Sequence, residues 1–368
     1  MSNRLNIALE LLEHMVNLDS PSLDKALVDR LTRFVGQEFS RIGGEVDFIR
    51  MAKFGDHLRV RFSGESQESI LILGHTDTVF PADEASRRPF KIENGLAKGP
   101  GVFDMKAGIV LAWWAIRDLV EKGPLKRSLT VLLTSDEEVG SHSSRELIET
   151  EASQARCVLV LEPSLPGGAA KTARKGVGRF TIKAIGRAAH AGVDPETGVN
   201  AIEEIAHQVI RVHQMANRER GTTVNVGVIQ GGTRTNVVPA EAAIEVDARI
   251  ASVEEAARLT REIRGLEPRL AGATLEIRGG INRPPMERTT ETARLFGIAR
   301  SVAVELGIDL QEGATGGASD GNFTAAMGIP TLDGLGAVGG FPHGLGEFVD
   351  VNSLPDRAAL IAGLIERV

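Results

Sequence analysis

The sequence of 368 residues contains one cysteine, Cys157, and no tyrosine. A single cysteine excludes an intramolecular disulfide and any metal site built from several thiolates. No apolar run approaches the ~20 residues that a membrane-spanning helix requires, and Glu10 and Glu13 near the N-terminus do not fit a secretory signal. Acidic residues outnumber basic ones by 49 to 42 with both signs interspersed, so we expect a cytoplasmic protein that binds neither nucleic acid nor membrane.

Hydrophobic residues make up 42% of the chain and charged residues 25%, which is typical of a globular protein and excludes wholesale disorder. Glycine is abundant, with 41 residues, and it clusters in short runs such as Gly99-Pro100-Gly101 and Gly316-Gly317. Glycine allows a backbone to turn sharply or to approach a ligand closely. These runs are therefore candidate site segments.

The first half of the chain alternates strand and helix patterns. Short apolar runs rich in β-branched residues at 70–73, 129–133 and 157–161 are typical of strands buried on both faces. Helical patterns at 105–122 and 141–152 separate these runs. The alternation predicts an α/β domain with a mostly parallel sheet, in which ligands bind at the carboxyl ends of the strands.

The middle of the chain has the order β-α-β-β-α-β, which predicts a ferredoxin-like unit. Strand patterns lie at 177–185, 223–229, 242–250 and 273–277, and helical patterns lie at 200–215 and 253–266. We therefore predict an inserted domain at 175–284. The first domain would then comprise 1–174 and 285–368.

Acidic and imidazole side chains follow four of the predicted strands. They are His75, Asp77, Asp104, Glu137, Glu138 and Glu162. If the strands are parallel neighbours, these groups share one sheet edge, where the carboxylates would repel one another unless cations lay between them. Histidine and carboxylate ligands without cysteine suit Zn²⁺, with Co²⁺ or Mn²⁺ as substitutes.

Each of these motifs also has a simpler interpretation. The segment from His75 to Asp77 could be a surface turn, Asp104 could cap a helix, and the acidic pair at 137–138 could balance a helix dipole. A shared metal site explains all of them at once, whereas the simpler interpretations require four coincidences. Among other polar groups, we expect His57 and His142 at the surface.

The chain resembles the co-catalytic metallohydrolase family of acetylornithine deacetylase, succinyl-diaminopimelate desuccinylase, aminoacylase and carboxypeptidase G. The resemblance covers nearly the whole chain and is carried by five motifs in order. They are His75-Thr-Asp77, Gly99-Pro-Gly-Val-Phe-Asp104-Met-Lys106, Asp136-Glu-Glu138-x-Gly-Ser141, Glu162-Pro163 and the late His343. The resemblance implies a zinc-peptidase catalytic domain with an inserted dimerisation, or lid, domain.

The resemblance also implies two Zn²⁺ ions in each subunit. His75 and Glu162 would hold one ion, Glu138 and His343 would hold the other, and Asp104 would bridge them. Asp77 would orient His75, and Glu137 would be the general base that deprotonates water. The family often has a cis peptide bond after the bridging aspartate.

The resemblance further implies a set of substrate contacts. His190 would reach across a homodimer to stabilise the oxyanion, and Asn236 would contact the substrate. Arg249 and Arg283 match positions near the substrate carboxylate in the carboxypeptidase G branch, and Gly317 lies in a loop that would close over the substrate backbone.

These motifs favour a metal-dependent hydrolase that releases a C-terminal amino acid, preferably glutamate-like, from an N-acyl or peptidyl substrate. An N-acyl-amino-acid deacylase, or a dipeptidase or aminopeptidase of the same family, remains an alternative. A second alternative is an inactive relative that only binds a ligand, although such a protein has no use for a base at Glu137. A nucleotide-dependent α/β enzyme is a third, and it predicts no zinc.

Overall fold

The structure is a computed structural model that describes residues 2–368, with the side chains of Ser2 and Gln67 left undescribed. The chain divides into two compact units. Unit 1 comprises the chain up to Ala173 together with Arg288–Thr315 and Ser319–Val368, and unit 2 comprises Arg174–Glu287 and Gly316–Ala318. No helix among the described residues is long and apolar enough to cross a membrane.

The segment before unit 2 contains helices and strands in alternation. In chain order they are α1 (Ser2–Val16), α2 (Lys25–Arg41), β1 (Glu45–Ile49), β2 (His57–Phe62), β3 (Gly64–His75), α3 (Glu84–Arg87), β4 (Lys91–Glu93), β5 (Leu96–Lys98), α4 (Ala107–Lys122), β6 (Leu125–Thr134), α5 (Arg145–Ser153), β7 (Ala155–Val160) and β8 (Ala170–Arg174). The helix predicted at 141–152 therefore begins four residues later than expected.

Unit 2 has the β-α-β-β-α-β order that the sequence predicts. Its elements are β9 (Gly176–Ile185), α6 (Ala201–Gln214), β10 (Thr223–Gly231), β11 (Glu241–Ile250), α7 (Val253–Arg264) and β12 (Thr274–Arg283). The four strands form an antiparallel sheet in the order β10-β11-β9-β12. Alternate residues of β11, such as Ile244 and Val246, are buried, which explains the period of two in its sequence.

The chain then completes unit 1. The remaining elements are α8 (Thr290–Glu305), β13 (Glu312–Thr315), α9 (Gly321–Ala326), β14 (Thr331–Leu332), β15 (Gly339–Gly340), β16 (Phe348–Asp350) and α10 (Leu354–Arg367). The main sheet has the order β1-β2-β6-β3-β7-β14. Its four strands β6, β3, β7 and β14 are parallel, while β1 and β2 join antiparallel. This mostly parallel sheet confirms the predicted fold class.

The core of unit 1 follows from its buried strands. Residues Ile70 to Leu73 of β3 are completely buried on both faces of the sheet, as expected for a central parallel strand covered by helices. Trp113 and Trp114 of α4 are each only 6% exposed and join this core. Apolar burial on both sheet faces holds the strand ends, and therefore the side chains that follow them, in fixed positions.

Two expectations about this unit are wrong. The segment before Asp104 is not a strand of the parallel sheet, because β5 lies in a separate small sheet of order β15-β16-β5-β4. His57 is completely buried rather than at the surface. Its ring nitrogens Nδ1 and Nε2 lie 3.0 Å from Ser135 Oγ and 3.2 Å from Ser143 Oγ. These hydroxyls satisfy the imidazole, and burial lowers the pKa of His57.

Candidate metal centre

Three neighbouring parallel strands end at one edge of the main sheet. Strand β3 ends at His75, which pairs in register with Thr134 at the end of β6, and β7 ends two residues before Glu162. The loop after β6 carries Glu137 and Glu138. Parallel strands present their carboxyl ends on the same side, so the topology gathers these groups.

Asp104 reaches the same place from a different element. It lies in the turn over Val102–Lys106, between β5 and α4, where Asp104 and Met105 have non-helical backbone angles and are joined by a cis peptide bond. The side chains of Val102 and Phe103 are buried and anchor the turn in the core. Asp104 thereby faces the strand ends without belonging to the parallel sheet.

The two carboxylate oxygens of Asp104 face two different histidines. Oδ1 lies 3.4 Å from His75 Nε2, and Oδ2 lies 3.2 Å from His343 Nε2. His75 Nε2 is also 3.4 Å from Glu162 Oε1, and His343 Nε2 is 3.2 Å from Glu138 Oε1. The arrangement is therefore two sets, each of one imidazole and one carboxylate, with Asp104 shared between them.

Glu137 lies at the same centre. Ligand atoms of His75, Glu137 and Glu162 lie within 4.8 Å of one another, as do those of His75, Asp104 and Glu138. Glu137 and Glu162 are buried, and His75 is only 2% exposed. The structure thus brings together all the sequence-predicted ligand candidates and the predicted base.

Three polar atoms of this cluster fit a bound cation. His75 Nε2, Asp104 Oδ1 and Glu138 Oε1 are buried and have no hydrogen-bond partner among the residues that the structure describes. Buried polar atoms are normally paired, because leaving them unsatisfied costs free energy. Nitrogen and carboxylate oxygen donors without sulfur form a set that suits a divalent ion such as Zn²⁺.

The electrostatics of the cluster point the same way. The carboxylates of Asp104 first and of Glu138, both in contact with its ring, raise the pKa of His343 to about 11. Burial, together with the nearby charge of Asp104, raises the pKa of Glu138 despite its contact with His343. More carboxylates than imidazoles share the site, so positive charge stabilises it.

Asp77 connects the end of β3 to the acidic loop. Its backbone oxygen lies 2.9 Å from His75 Nδ1, whereas its carboxylate Oδ1 is 3.5 Å from that nitrogen. The carboxylate instead accepts the backbone N–H groups of Glu137 and Glu138 at 3.2 and 3.1 Å. The hydroxyl of Ser22 donates to it as well. Asp77 therefore contacts His75 through its main chain and the acidic loop through its side chain.

Two buried charged groups hold the turn that carries Asp104. The carboxylate of Glu347 accepts the backbone N–H groups of Gly101, Phe103 and Asp104, and burial raises its pKa to about 7. Lys106 Nζ donates to the backbone oxygens of Leu18 and Pro100, and burial lowers its pKa to about 8. Both residues act on backbone atoms of neighbouring loops.

Arg357 of α10 performs a similar task for the loop beside Glu162. Its guanidinium donates to the backbone oxygens of Gly168, Gly334 and Gly336 at 2.6 to 2.8 Å. The backbone N–H of Gly336 in turn donates to the backbone oxygen of Glu162 at 2.9 Å. Arg357 is buried, and burial lowers its pKa to about 10.

The other sequence-predicted residues lie in unit 2, in two groups. His190 is exposed and pairs with Val237, and the backbone N–H of Ala191 donates to the backbone oxygen of Asn236. His190 and Asn236 are therefore neighbours in the loops beyond the Ile185 end of β9.

The second group lies at the opposite end of β9. Arg249 and Arg283 pair with Val177 from the two flanking strands, and Gly317 accepts a hydrogen bond from Arg174 Nη1. From Val177 to Ile185, an extended strand spans roughly 25–30 Å. Within one chain, the His190 group and the Arg249 group therefore lie a full length of strand β9 apart. The guanidinium of Arg249 also binds the Asp247 carboxylate at 2.8 and 3.1 Å.

Sequence reasoning assigned no role to three residues that hold the surroundings of the centre, namely Ser22, Glu347 and Arg357. None of them belongs to a motif with ligand spacing. The signal that could have found Glu347 is its position four residues after His343 in a chain whose other acidic motifs all precede unit 2. For Ser22 and Arg357 the sequence offers no comparable signal.

A cluster of imidazoles and carboxylates at the carboxyl edge of a parallel sheet is typical of a metal centre. A sequence model of peptidase family M20/M25/M40 matches residues 71–367. The chain belongs to that family, and the family match assigns it to the metal-dependent hydrolases. It is 30% identical to carboxypeptidase G2 of Pseudomonas sp. over 365 residues, covering 97% of this chain and 88% of the relative. It is also 30% identical to succinyl-diaminopimelate desuccinylase of Dechloromonas aromatica over 333 residues, covering 83% of this chain and 85% of the relative. The crystal structure of aminopeptidase PepT from Bacillus cereus superposes with a TM-score of 0.80 at 24% identity, covering 98% of each chain.

Proposed function

We propose that this chain is a dinuclear zinc carboxypeptidase that releases a C-terminal, glutamate-like amino acid from an N-acyl or short peptidyl substrate. The observation that carries the proposal is the orientation of Asp104, whose two oxygens face two separate histidine–carboxylate pairs. The 30% identity to carboxypeptidase G2 over nearly the whole chain supports the substrate class.

The contacts of Asp104 divide the proposed ligands between two ion positions. His75 and Glu162 would hold one Zn²⁺, and Glu138 and His343 would hold the other, with one oxygen of Asp104 for each. Co²⁺ or Mn²⁺ could replace Zn²⁺, because all three accept nitrogen and carboxylate ligands. When bound, such a pair of ions would acidify a water molecule and polarise the scissile carbonyl.

Glu137 is the proton carrier in this proposal. Its carboxylate takes a proton from the water that attacks the carbonyl carbon and returns it to the nitrogen as the C–N bond breaks. Asp77 holds the main chain of Glu137 in place by accepting its backbone N–H. His190 would donate a hydrogen bond to the developing oxyanion, and Asn236, Arg283, Arg249 and Gly317 would contact the substrate.

We further propose that unit 2 forms a homodimer and completes the site as a lid. The two groups of predicted contacts lie at opposite ends of β9, so a partner chain is the simplest source for one of them. Edge strand β10 exposes Val228 and Ile229, the latter by 59%, whereas the other edge strand, β12, carries the charged Glu276 and Arg278. A charged edge discourages pairing, and an apolar edge favours it.

Metal analysis and a substrate panel test the proposal together. We expect about two Zn²⁺ ions per chain after dialysis, and faster hydrolysis of N-acyl-glutamates and dipeptides with C-terminal glutamate than of substrates with other C-terminal residues. Loss of activity on chelation and recovery with Zn²⁺ is also expected. A preparation that hydrolyses these substrates without bound metal would contradict the proposal.

The second candidate is an N-acyl-amino-acid deacylase, which the identity to succinyl-diaminopimelate desuccinylase favours. It would use the same ions and base with a different substrate pocket. Turnover of N-acetyl or N-succinyl amino acids, with none of dipeptides or folyl-glutamate, would select it over the carboxypeptidase. Aminopeptidase activity would instead appear as release of the N-terminal residue from unblocked tripeptides, with the C-terminal dipeptide as the other product.

A further inference from the structure

We propose that Glu347 is a positioning residue that sets the separation between Asp104 and His343. Through that separation it controls the affinity of the ion that these two side chains would share. The inference rests on the proposed two-ion function and assigns a task to a residue outside the ligand set.

The carboxylate of Glu347 is bound to the turn that carries Asp104. Its Oε1 accepts the backbone N–H groups of Phe103 and Asp104, both at 2.8 Å, and its Oε2 accepts that of Gly101 at 3.1 Å. Glu347 is 1% exposed. Hydrogen bonds from N–H groups to a carboxylate are short and strong, so this side chain fixes the turn directly at Asp104.

The backbone of Glu347 is bound to the segment that carries His343. Its N–H donates to the backbone oxygen of Gly344 at 3.2 Å. The next residue, Phe348, begins β16 and pairs with Lys98 of β5, just before the same turn. One residue therefore joins two segments that are more than two hundred positions apart in the chain.

On this face the Asp104 carboxylate contacts the two histidines of the centre, with Oδ2 3.2 Å from His343 Nε2. Its Oδ1 has no hydrogen-bond partner among the described residues, so the position of the carboxylate also depends on the backbone below it. His343 is half exposed in its side chain and adopts a left-handed backbone conformation with φ of 63°. Its placement likewise depends on its loop, and both loops converge on Glu347.

A glutamine at this position could not replace the carboxylate. The three N–H donors need two acceptor oxygens, whereas an amide offers one oxygen and an NH₂ group that opposes a donor. We therefore expect Glu347→Gln to release either Gly101 or the pair Phe103 and Asp104. Glu347→Asp keeps both acceptor oxygens, but its side chain is one methylene group shorter, so the oxygens lie farther from the three N–H groups.

The test is a Zn²⁺ titration of the metal-free full chain against a competing chelator, with thermal unfolding measured by circular dichroism. Glu204→Gln is the matched control, because Glu204 is a buried carboxylate of unit 2 that accepts the backbone N–H groups of Arg269 and Leu270 at 2.9 and 2.8 Å. The control and the two Glu347 variants are compared at equal folded fraction. This readout does not depend on enzyme activity.

We expect Glu347→Gln to weaken one of the two Zn²⁺ sites by roughly 10- to 100-fold and the other much less. Glu347→Asp should weaken the same site by a smaller factor. If Glu347→Gln does not fold, the affinities of Glu347→Asp decide the test. Glu204→Gln should lower the unfolding temperature without changing either affinity. Wild-type affinity at both sites in folded Glu347→Gln or Glu347→Asp would overturn the inference. A wild-type chain that binds fewer than two ions would instead overturn the proposed function.

Discussion

The hydroxyl of Ser22 donates a 2.7 Å hydrogen bond to Oδ2 of Asp77, the oxygen that also accepts the backbone N–H of Glu138. Ser22 lies in the connection between α1 and α2, far from every motif that identifies the centre. The contact fixes a carboxylate that in turn holds the backbone of the acidic loop. Removal of the Ser22 hydroxyl should therefore disturb the position of the acidic loop at the candidate metal centre and lower activity.

We expect Ser22→Ala to lower kcat/KM by roughly fivefold, equivalent to about 1 kcal/mol of lost positioning. Ser20→Ala is the control, because the Ser20 hydroxyl is also buried but has no hydrogen-bond partner among the described residues. Steady-state kinetics on both variants check the prediction. Equal rates for Ser22→Ala and Ser20→Ala would show that the contact to Asp77 has no catalytic consequence.

Glu137 and Glu138 are adjacent in sequence but should respond differently to the same substitution. Glu137→Gln should retain both ions and lose roughly 10²–10⁴ in kcat, since it removes the proposed general base. Glu138→Gln should lose one ion, because it removes a ligand. Metal content and turnover measured on the same samples distinguish the two, and metal loss in Glu137→Gln would contradict its assignment as the base.

Mixed subunits test whether His190 serves the centre of a partner chain. Glu137→Gln and His190→Ala chains should each be nearly inactive alone. After unfolding and refolding together, random pairing places both intact groups at one of the two sites in half of the dimers, which gives about a quarter of wild-type activity. Mixing wild type with the Glu137→Gln/His190→Ala double variant is the reference for subunit exchange, because exchange lowers the activity of that mixture from about a half to about a quarter of the wild-type value. No recovery despite exchange would exclude a shared site.

The apolar edge strand β10 of unit 2 predicts where the proposed homodimer forms. Ile229→Arg on β10 should produce monomers in sedimentation analysis while the circular dichroism spectrum is retained, because a buried unpaired charge opposes strand pairing. Glu276→Arg on the opposite edge strand, β12, is the control and should leave the oligomeric state unchanged. A dimeric Ile229→Arg variant would place the interface elsewhere.

Glu255 predicts an acid-sensitive contribution to the stability of unit 2. Hydrogen bonds from Arg258 first and Thr222 lower its pKa from 4.5 to about 2. Because the folded state favours the ionised carboxylate, the stabilisation is fully present above about pH 4.5 and is lost as the pH falls towards 2. Glu255→Gln should cost on the order of 2 kcal/mol at pH 7 and little at pH 2.

The neighbouring Glu254→Gln is the control for this pH dependence, since the Glu254 side chain is 82% exposed. Urea unfolding at a series of pH values measures both variants. Parallel curves for wild type and Glu255→Gln between pH 7 and pH 2 would contradict the prediction.

The sequence was most informative where periodicity and topology act together. The period of two in β11 and the helical spacing of α6 predict unit 2 because one face of each element is buried. Parallel strands make His75, Glu138 and Glu162 converge, so their order in the chain predicts the centre.

Other features of the centre were not accessible from the sequence. Asp104 comes from a turn beside a separate small sheet, which strand patterns alone do not reveal. Ser22 and Glu347 bind carboxylate and backbone groups from segments distant in sequence, and such pairings arise only after folding. His57 was misjudged because two serine hydroxyls satisfy an imidazole that would otherwise need water.

Because Arg357 lies in α10, the site of this hydrolase can assemble only after that helix has been synthesised. The loop that supports Glu162 depends on three carbonyl contacts from the C-terminal helix, and His343 lies only a short distance before that helix. Chains emerge from the ribosome N-terminal end first. A nascent chain thus already exposes most of the ligand residues while it still lacks the means to assemble them, so α10 must have left the ribosome before the protein can cut its first bond.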